Sequence, residues 1–227
     1  MTLREFSSFL ERINTKPRHV LDVAIPRTKY IPIDLSVTNT ALNNVDVASS
    51  SALSKYINTY LKLHDADVAY GGYLEQRNIY QRSQHFNKQA KEARDIHLAI
   101  DLWCAAETPI YAPLDGIVHS FKNNTNYGDY GPTIILEHFI ADVTFYTLYG
   151  HLSLASIQNL KIGQEFSIGA QIATLGDAIV NGDYPPHLHF QIIKDLQGNY
   201  GDYPGVCTTQ DLEFFSQNCP NPEVLLF

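Results

Sequence analysis

The chain has 227 residues, of which 44% are apolar and 18% are charged, proportions typical of a globular protein with a sizeable core. The formal net charge of −8 disfavours nucleic acid as a partner, because a polyanion is repelled by an acidic surface. No apolar run approaches the roughly 18 residues that span a bilayer, so we expect no membrane span. Three widely spaced cysteines, Cys104, Cys207 and Cys219, form no CxxC pair, and neither a disulfide framework nor a cysteine zinc site is predicted.

The sequence of the N-terminal part predicts two helices and stretches of extended chain. Apolar residues three and four positions apart predict an amphipathic helix over 3–13 and a second over about 51–63, with serines before it as caps. The polar stretch between them predicts a loop, and 67–80 predicts a glycine-broken strand or hairpin. We therefore expect residues 1–93 to form an arm that packs on the core. Since the first residues lack an apolar signal region and a cleavage site, we expect a cytoplasmic protein, or an exported one if a leader was trimmed.

The character of the sequence changes at about residue 94. Short β-rich segments then recur between turn signals, which predicts a β-sandwich or barrel-like domain over 94–193. The segments are 96–103, 109–121, 132–139, 143–150, 171–175 and 187–193. The extension 194–227 predicts a short helix in "QDLEFFSQN", capped by Thr208 or Thr209. The predicted fold is mainly β with flanking helices.

Two of these segments place histidines on one face of a strand. In "IHLAIDLW" strict alternation puts His97 and Asp101 on the face opposite the aliphatic residues, with small Ala99 between them. In "HLHFQII" the same alternation puts His187 and His189 together, followed by Gln191. Imidazole and carboxylate side chains therefore project from strands whose other faces are apolar.

A third β-rich segment, "FYTLYGHL", ends at His151. Two histidines and a carboxylate are the right kind of set for catalytic zinc, which takes three protein ligands and keeps a fourth position for water. His97, Asp101, His151 and the His187/His189 pair offer more groups than the metal needs. A surplus histidine suits a role in proton transfer.

The motifs "HLAID", "YGHL" and "PHLHF", in that order, resemble those of the lysostaphin-type (LytM-like) zinc endopeptidases. "YAPLDGIV" and "LKIGQEFSIGAQIATLGD" are similar to the β-hairpin framework of that family, so the resemblance covers residues 94–193. It implies a barrel-sandwich hybrid core (a duplicated hybrid motif). It also implies hydrolysis of peptide bonds in glycine-containing or peptidoglycan-type substrates.

The resemblance also implies a role for each candidate residue. His97, Asp101 and His189 match the three ligands of a Zn²⁺ cofactor, and His187 and His151 match the two catalytic histidines. A bound metal lowers the pKa of water, His187 would act as general base, and His151 would stabilise the oxyanion or protonate the leaving amine.

The chain departs from the family pattern at several places. The loop before the last motif, "DAIVNGDYPPHLHF", lacks the serine or threonine often found there. The flanking stretches "GGYLEQRNIY" and "GDYPGV" resemble a peptidase-like segment of some large cytosolic proteins, which implies neighbouring domains in a larger protein.

Two alternatives to the peptidase remain open from the sequence. One is a metal-binding or regulatory module that hydrolyses nothing, with the N-terminal arm occluding the metal. The other is a phosphocarrier-like domain with paired histidines, against which Asp101 counts because phosphohistidine chemistry needs no carboxylate ligand.

Overall fold

A computed structural model describes residues 1–82 and 93–227. The helices are α1 (Leu3–Ile13), α2 (Ser50–Leu63), α3 (Ala155–Gln158), α4 (Leu212–Asn218) and α5 (Glu223–Leu226). The first strands are β1 (Tyr30–Pro32), β2 (Val68–Gly71), β3 (Ile96–His97), β4 (Ile100–Trp103), β5 (Pro109–Tyr111) and β6 (Gly116–Asn124). The remaining strands are β7 (Gly131–Ile140), β8 (Val143–Gly150), β9 (Glu165–Phe166), β10 (Gln171–Thr174), β11 (His187–Ile193) and β12 (Val206–Cys207).

The strands of the described residues form one large sheet and two short pairs. The large sheet has the order β1-β2-β4-β11-β8-β7-β6-β9, and β10 pairs with β5 and β12 with β3. The β1–β2 pair is parallel, whereas the other neighbours are antiparallel. The predicted class, mainly β with flanking helices, is confirmed.

The stretch 96–103 is not the single strand that its alternation predicts. It breaks after β3, which pairs with β12, and resumes as β4 inside the large sheet. Its aliphatic side chains therefore enter two different hydrophobic clusters, Ile96 and Leu98 in one and Ile100 and Leu102 in the other. Both faces of the stretch are buried, so the side that bears His97 and Asp101 does not face solvent.

Two other expectations needed correction. The strand predicted over 67–80 is confined to β2, which lies between β1 and β4 and forms no hairpin. The C-terminal helix α4 has Asp211 as its N-cap, and Thr208 instead accepts a hydrogen bond from the Asp211 amide in the turn before the helix.

Helix α1 fastens the N-terminus to the large sheet. Thr2 and Glu5 form a reciprocal capping box at its start. Phe6 and Phe9 then pack edge-on against Phe145 of β8, with ring centroids 5.6 and 5.9 Å apart. Both phenylalanines are buried. Burial of each contributes roughly 1.5–3 kcal/mol to stability, so the helix is a fixed part of the fold.

The N-terminal segment also contributes two strands to the large sheet. Pairing of β2 with β4 sets Gly71 opposite Asp101. The backbone that follows β2 consequently lies beside the histidines and aspartate singled out above. Cys104, Cys207 and Cys219 are all free thiols. Among the residues described, none of the helices combines the length and apolarity needed to cross a membrane.

Candidate active site

Three neighbouring strands of the large sheet and the short strand β3 bring the candidate residues together. In the pairing of β11 with β4, His189 lies opposite Asp101. In the pairing of β11 with β8, His189 lies opposite Gly150, the residue before His151. His97 ends β3, four residues before Asp101.

Three potential ligand atoms form a compact triangle. His97 Nε2 lies 3.0 Å from His189 Nδ1 and 3.3 Å from Asp101 Oδ1, and His189 Nδ1 lies 3.4 Å from the same oxygen. All three side chains are at least 97% buried. Within residues 1–82 and 93–227, this is the group of histidine, cysteine and acidic side chains whose ligand atoms could hold one metal ion.

The hydrogen bonds of both imidazoles fix their tautomers. His97 Nδ1 lies 2.9 Å from the Gly72 carbonyl, which can only accept, so Nδ1 carries the proton and Nε2 has a free lone pair. His189 Nε2 lies 3.0 Å from Gln191 Oε1. The amide of Gln191 is itself oriented by its donation to the Pro204 carbonyl, so His189 Nδ1 is the bare nitrogen.

With these tautomers, three lone pairs converge on one buried point. Asp101 Oδ1 is buried and has no hydrogen-bond partner. Burial lowers the pKa of His97 to about 4, so a second proton on this ring is disfavoured at neutral pH. Unpaired acceptors facing one another in a dry site are costly unless a cation lies between them.

The triangle fits a zinc ion. Tetrahedral Zn²⁺ with bonds of about 2.0–2.1 Å places its ligand atoms roughly 3.3 Å apart, close to the three separations above. Outer hydrogen bonds that hold a ligating imidazole by its second nitrogen are typical of metal sites. The Gly72 carbonyl and the Gln191 amide supply those bonds here.

Asp101 is held as an anion by its surroundings. Its second oxygen, Oδ2, accepts a hydrogen bond of 2.5 Å from Nη1 of Arg77, which is itself buried. Burial alone would raise the pKa of Asp101, but the charge of the Arg77 guanidinium holds it well below its usual value. One oxygen therefore faces the imidazoles while the other faces a guanidinium.

The remaining two histidines lie side by side at this triangle. The ring centroids of His151 and His187 are 4.1 Å apart, and His187 Nε2 is 3.8 Å from Asp101 Oδ1. Nδ1 of His151 donates to the Asn181 carbonyl and Nδ1 of His187 to the Pro185 carbonyl. Both rings therefore keep an unprotonated Nε2.

Burial keeps both rings neutral. It lowers the pKa of His187 to about 4 and that of His151 further below its usual value. The indole of Trp103 stacks on His187, with ring centroids 3.9 Å apart, and fixes the plane of that imidazole. His151 has a left-handed backbone, with φ of +62°. A non-glycine residue in that conformation is uncommon and often marks a functional site.

A cavity of about 180 Å³ opens onto this cluster. Its walls include all five histidine and aspartate side chains and several aromatic rings. Tyr130, from the loop between β6 and β7, lies in the wall, whereas Tyr127 of the same loop is half exposed to solvent. Tyr80 comes from the N-terminal segment and lies over the His97 ring. The cavity therefore places aromatic rings around the cluster of histidines and Asp101.

The structure brings together each residue singled out from the motifs, His97, Asp101, His151, His187 and His189. Arg77 contacts Asp101 and Gln191 contacts His189, and no motif assigns these two residues such a role. Alternation places Gln191 on the same face as His187 and His189 but does not predict its contact with the His189 ring. Arg77 lies in a segment with no pattern that connects it to Asp101.

Comparison with known proteins agrees with this geometry. Residues 95–202 match the sequence model of Peptidase family M23. No curated protein matches the chain. Several solved structures are similar to it.

Three of these structures illustrate the likeness. A peptidase M23 from Pseudomonas aeruginosa is 21% identical, with 57% of this chain and 43% of that chain covered and a TM-score of 0.39. A zinc-containing peptidase from Vibrio cholerae is 27% identical, with 47% and 30% covered and a TM-score of 0.36. The catalytic domain of lysostaphin from Staphylococcus simulans is 20% identical, with 60% and 97% covered and a TM-score of 0.37. The chain thus spans less than half of the first two proteins.

The match to Peptidase family M23 covers residues 95–202, slightly less than half of the chain. In its sequence this part of the chain is similar to LytM-like metallopeptidases.

Proposed function

We propose that this protein is a zinc-dependent endopeptidase that hydrolyses peptide bonds in glycine-containing or peptidoglycan-type peptides. The observation that carries the proposal is the convergence of three lone pairs, from His97 Nε2, His189 Nδ1 and Asp101 Oδ1, in a buried cluster. Three acceptors in such a place require a cation, and two imidazoles with one carboxylate suit Zn²⁺.

His97, Asp101 and His189 would hold the metal. A divalent ion bound by these three side chains would act as a Lewis acid, which polarises a peptide carbonyl and lowers the pKa of a water molecule. The protein's own contribution is to fix these ligands through Gly72, Gln191 and the surrounding sheet, so that little reorganisation is needed during the reaction.

His187 and His151 would carry out the proton transfers of the reaction. Hydrolysis needs one proton removed from the attacking water and one delivered to the leaving amine nitrogen. His187 Nε2 is unprotonated and near Asp101, so it can accept the proton of the water. His151 Nε2 lies beside it and, once protonated, can stabilise the developing oxyanion or pass a proton to the amine.

The cavity supports a small-residue substrate. Aromatic rings, among them Tyr130 and Tyr184, stand beside His151 in the wall of the cavity. Glycine has no side chain to collide with these walls, so glycine-rich peptides and the short stems of peptidoglycan are the substrates of choice.

The test combines metal content with hydrolysis. Purified protein should contain about one zinc per chain and should cleave a glycine-rich peptide or peptidoglycan. A strong chelator should abolish the cleavage, and added Zn²⁺ should restore it. Protein that takes up no zinc would refute the proposal, whereas protein that binds zinc and cleaves none of these substrates would favour the regulatory module.

A further inference from the structure

The N-terminal segment 72–77 wraps around the first strand of the site. The Leu74 amide donates to the His97 carbonyl, the His97 amide donates to the Glu75 carbonyl, and the Arg77 amide donates to the Asp95 carbonyl, each at 2.9 Å. The Gly72 carbonyl accepts from the His97 ring. The segment thus contacts the backbone and the side chain of one proposed ligand.

Arg77 extends this contact to the second proposed ligand. Its guanidinium is 2% exposed and bridges two carboxylates, with Nη1 donating to Asp101 Oδ2 and Nε donating to Glu75 Oε2. Glu75 is anchored in turn, since its other oxygen accepts from the Leu35 amide at 3.0 Å. The Asp101 carboxylate is consequently fixed from behind by a chain of contacts that begins outside the matched family segment.

Gly72 makes room for the guanidinium. A Cβ atom at this position would lie 1.9 Å from Arg77 Nη2, and the backbone φ is +104°. Glycine therefore serves both the backbone conformation and the approach of Arg77 to the ligand.

We propose that Arg77 is a positioning residue of the metal site, which occupies one oxygen of Asp101 so that only Oδ1 is available to the metal. The inference rests on the proposed function, because it assumes that a metal binds there. Glu75 offsets the charge of Arg77, so the pair orients Asp101 while adding little net repulsion toward a cation. The segment 72–77 would then help to form the metal site, together with the strands of the large sheet.

The opposite charges of Glu75 and Arg77 determine which variants can test the role of Arg77. Arg77→Gln alone leaves Glu75 uncompensated, which would attract a cation and mask a loss of orientation. The double variant Glu75→Gln/Arg77→Gln removes one charge of each sign and isolates the orientation. In the full chain, the dissociation constant for Zn²⁺ should rise about 10- to 100-fold, the usual effect of losing an outer contact of a metal ligand.

The electronic spectrum of the Co²⁺-substituted protein gives a second readout. With Oδ2 released, Asp101 can bind through both oxygens, the coordination number rises, and the visible Co²⁺ bands should weaken. Glu75→Gln alone should keep the wild-type spectrum, because Arg77 still holds Oδ2. A double variant with wild-type affinity and wild-type Co²⁺ bands would overturn the proposal.

Arg27→Gln is the matched control. Arg27 belongs to the same N-terminal part and donates to the Arg18 carbonyl. Its loss should lower the midpoint of thermal unfolding and leave zinc affinity unchanged. An equal loss of zinc affinity would overturn the proposal.

If the double variant fails to fold, Arg77→Lys provides the test, because an ammonium group keeps the charge but lacks the planar fork that bridges two carboxylates. Its dissociation constant should rise by about 10-fold, the lower end of the effect of losing an outer contact, and an unchanged value would overturn the proposal. Wild-type protein that binds no metal would instead refute the proposed function itself.

Discussion

His187 and His189 stand two residues apart on β11 yet have different surroundings. His189 Nδ1 points to the lone pairs of His97 and Asp101, and its other nitrogen is held by Gln191. His187 stacks on Trp103 and keeps Nε2 beside the proposed metal ligands. The same residue type can therefore serve as ligand in one position and as proton acceptor in the other.

Substitution should separate the two roles. His189→Ala removes one of three proposed ligands, so zinc content should fall to a small fraction of one per chain. His187→Ala leaves the ligand triangle intact, so zinc should stay bound while hydrolysis falls by about 10²–10⁴-fold. Metal analysis of both purified variants checks this, and equal zinc occupancy in the two would contradict the assignment.

At this scale the sequence motifs are informative because alternation in a strand decides which side chains share a face. That rule puts His187, His189 and Gln191 together. No comparable rule reaches Arg77, since its contact with Asp101 depends on how a loop returns to the sheet.

The clearest lesson at the level of elements is the break between β3 and β4. Alternation continues through Leu98 and Ala99, so the pattern predicts one strand from 96 to 103. The chain nevertheless changes partners, because the segment 72–77 and β12 pair with β3 while β2 and β11 pair with β4. Partner choice depends on distant residues, and alternation within one stretch cannot reveal it.

The segment 72–77 predicts a specific sensitivity at Gly72. Gly72→Ala forces a side chain into the Arg77 guanidinium and a left-handed backbone, so we expect a loss of several kcal/mol in unfolding free energy (about 1–3 from each effect) together with weaker zinc binding. Urea unfolding measures the first and a competing chelator the second.

Gly163→Ala is the matched control. Gly163 also has a left-handed φ, +77°, but a Cβ atom there meets nothing within 4 Å. It should lose only the conformational part, about 1 kcal/mol, and keep its zinc affinity. Similar losses in both variants would show that crowding at Arg77 is unimportant.

Across the whole molecule, buried neutral histidines should make the metal-free protein sensitive to acid. Burial lowers the pKa values of His97, His138 and His187 from 6.5 to about 4. Between these values the unfolded chain binds more protons than the folded one, so stability is complete above about pH 6.5 and declines as the pH falls toward 4.

His138 isolates this effect because it lies outside the site. It contacts the Asp115 carbonyl and the Thr147 hydroxyl, each at 2.7 Å. Its pKa shift corresponds to roughly 3 kcal/mol. In chelator-treated protein, His138→Gln should therefore flatten the rise of unfolding free energy between pH 4 and 6.5 by about that amount. A slope equal to that of the wild type would contradict the prediction.

The strand order has a further consequence for shortened forms of the protein. β4, which bears Asp101, is an interior strand only because β2 lies against it. A protein trimmed to the matched family segment would expose the free amides and carbonyls of β4 along an open sheet edge. Such an edge can pair with strands from other chains, so the trimmed protein should self-associate more than the full chain does.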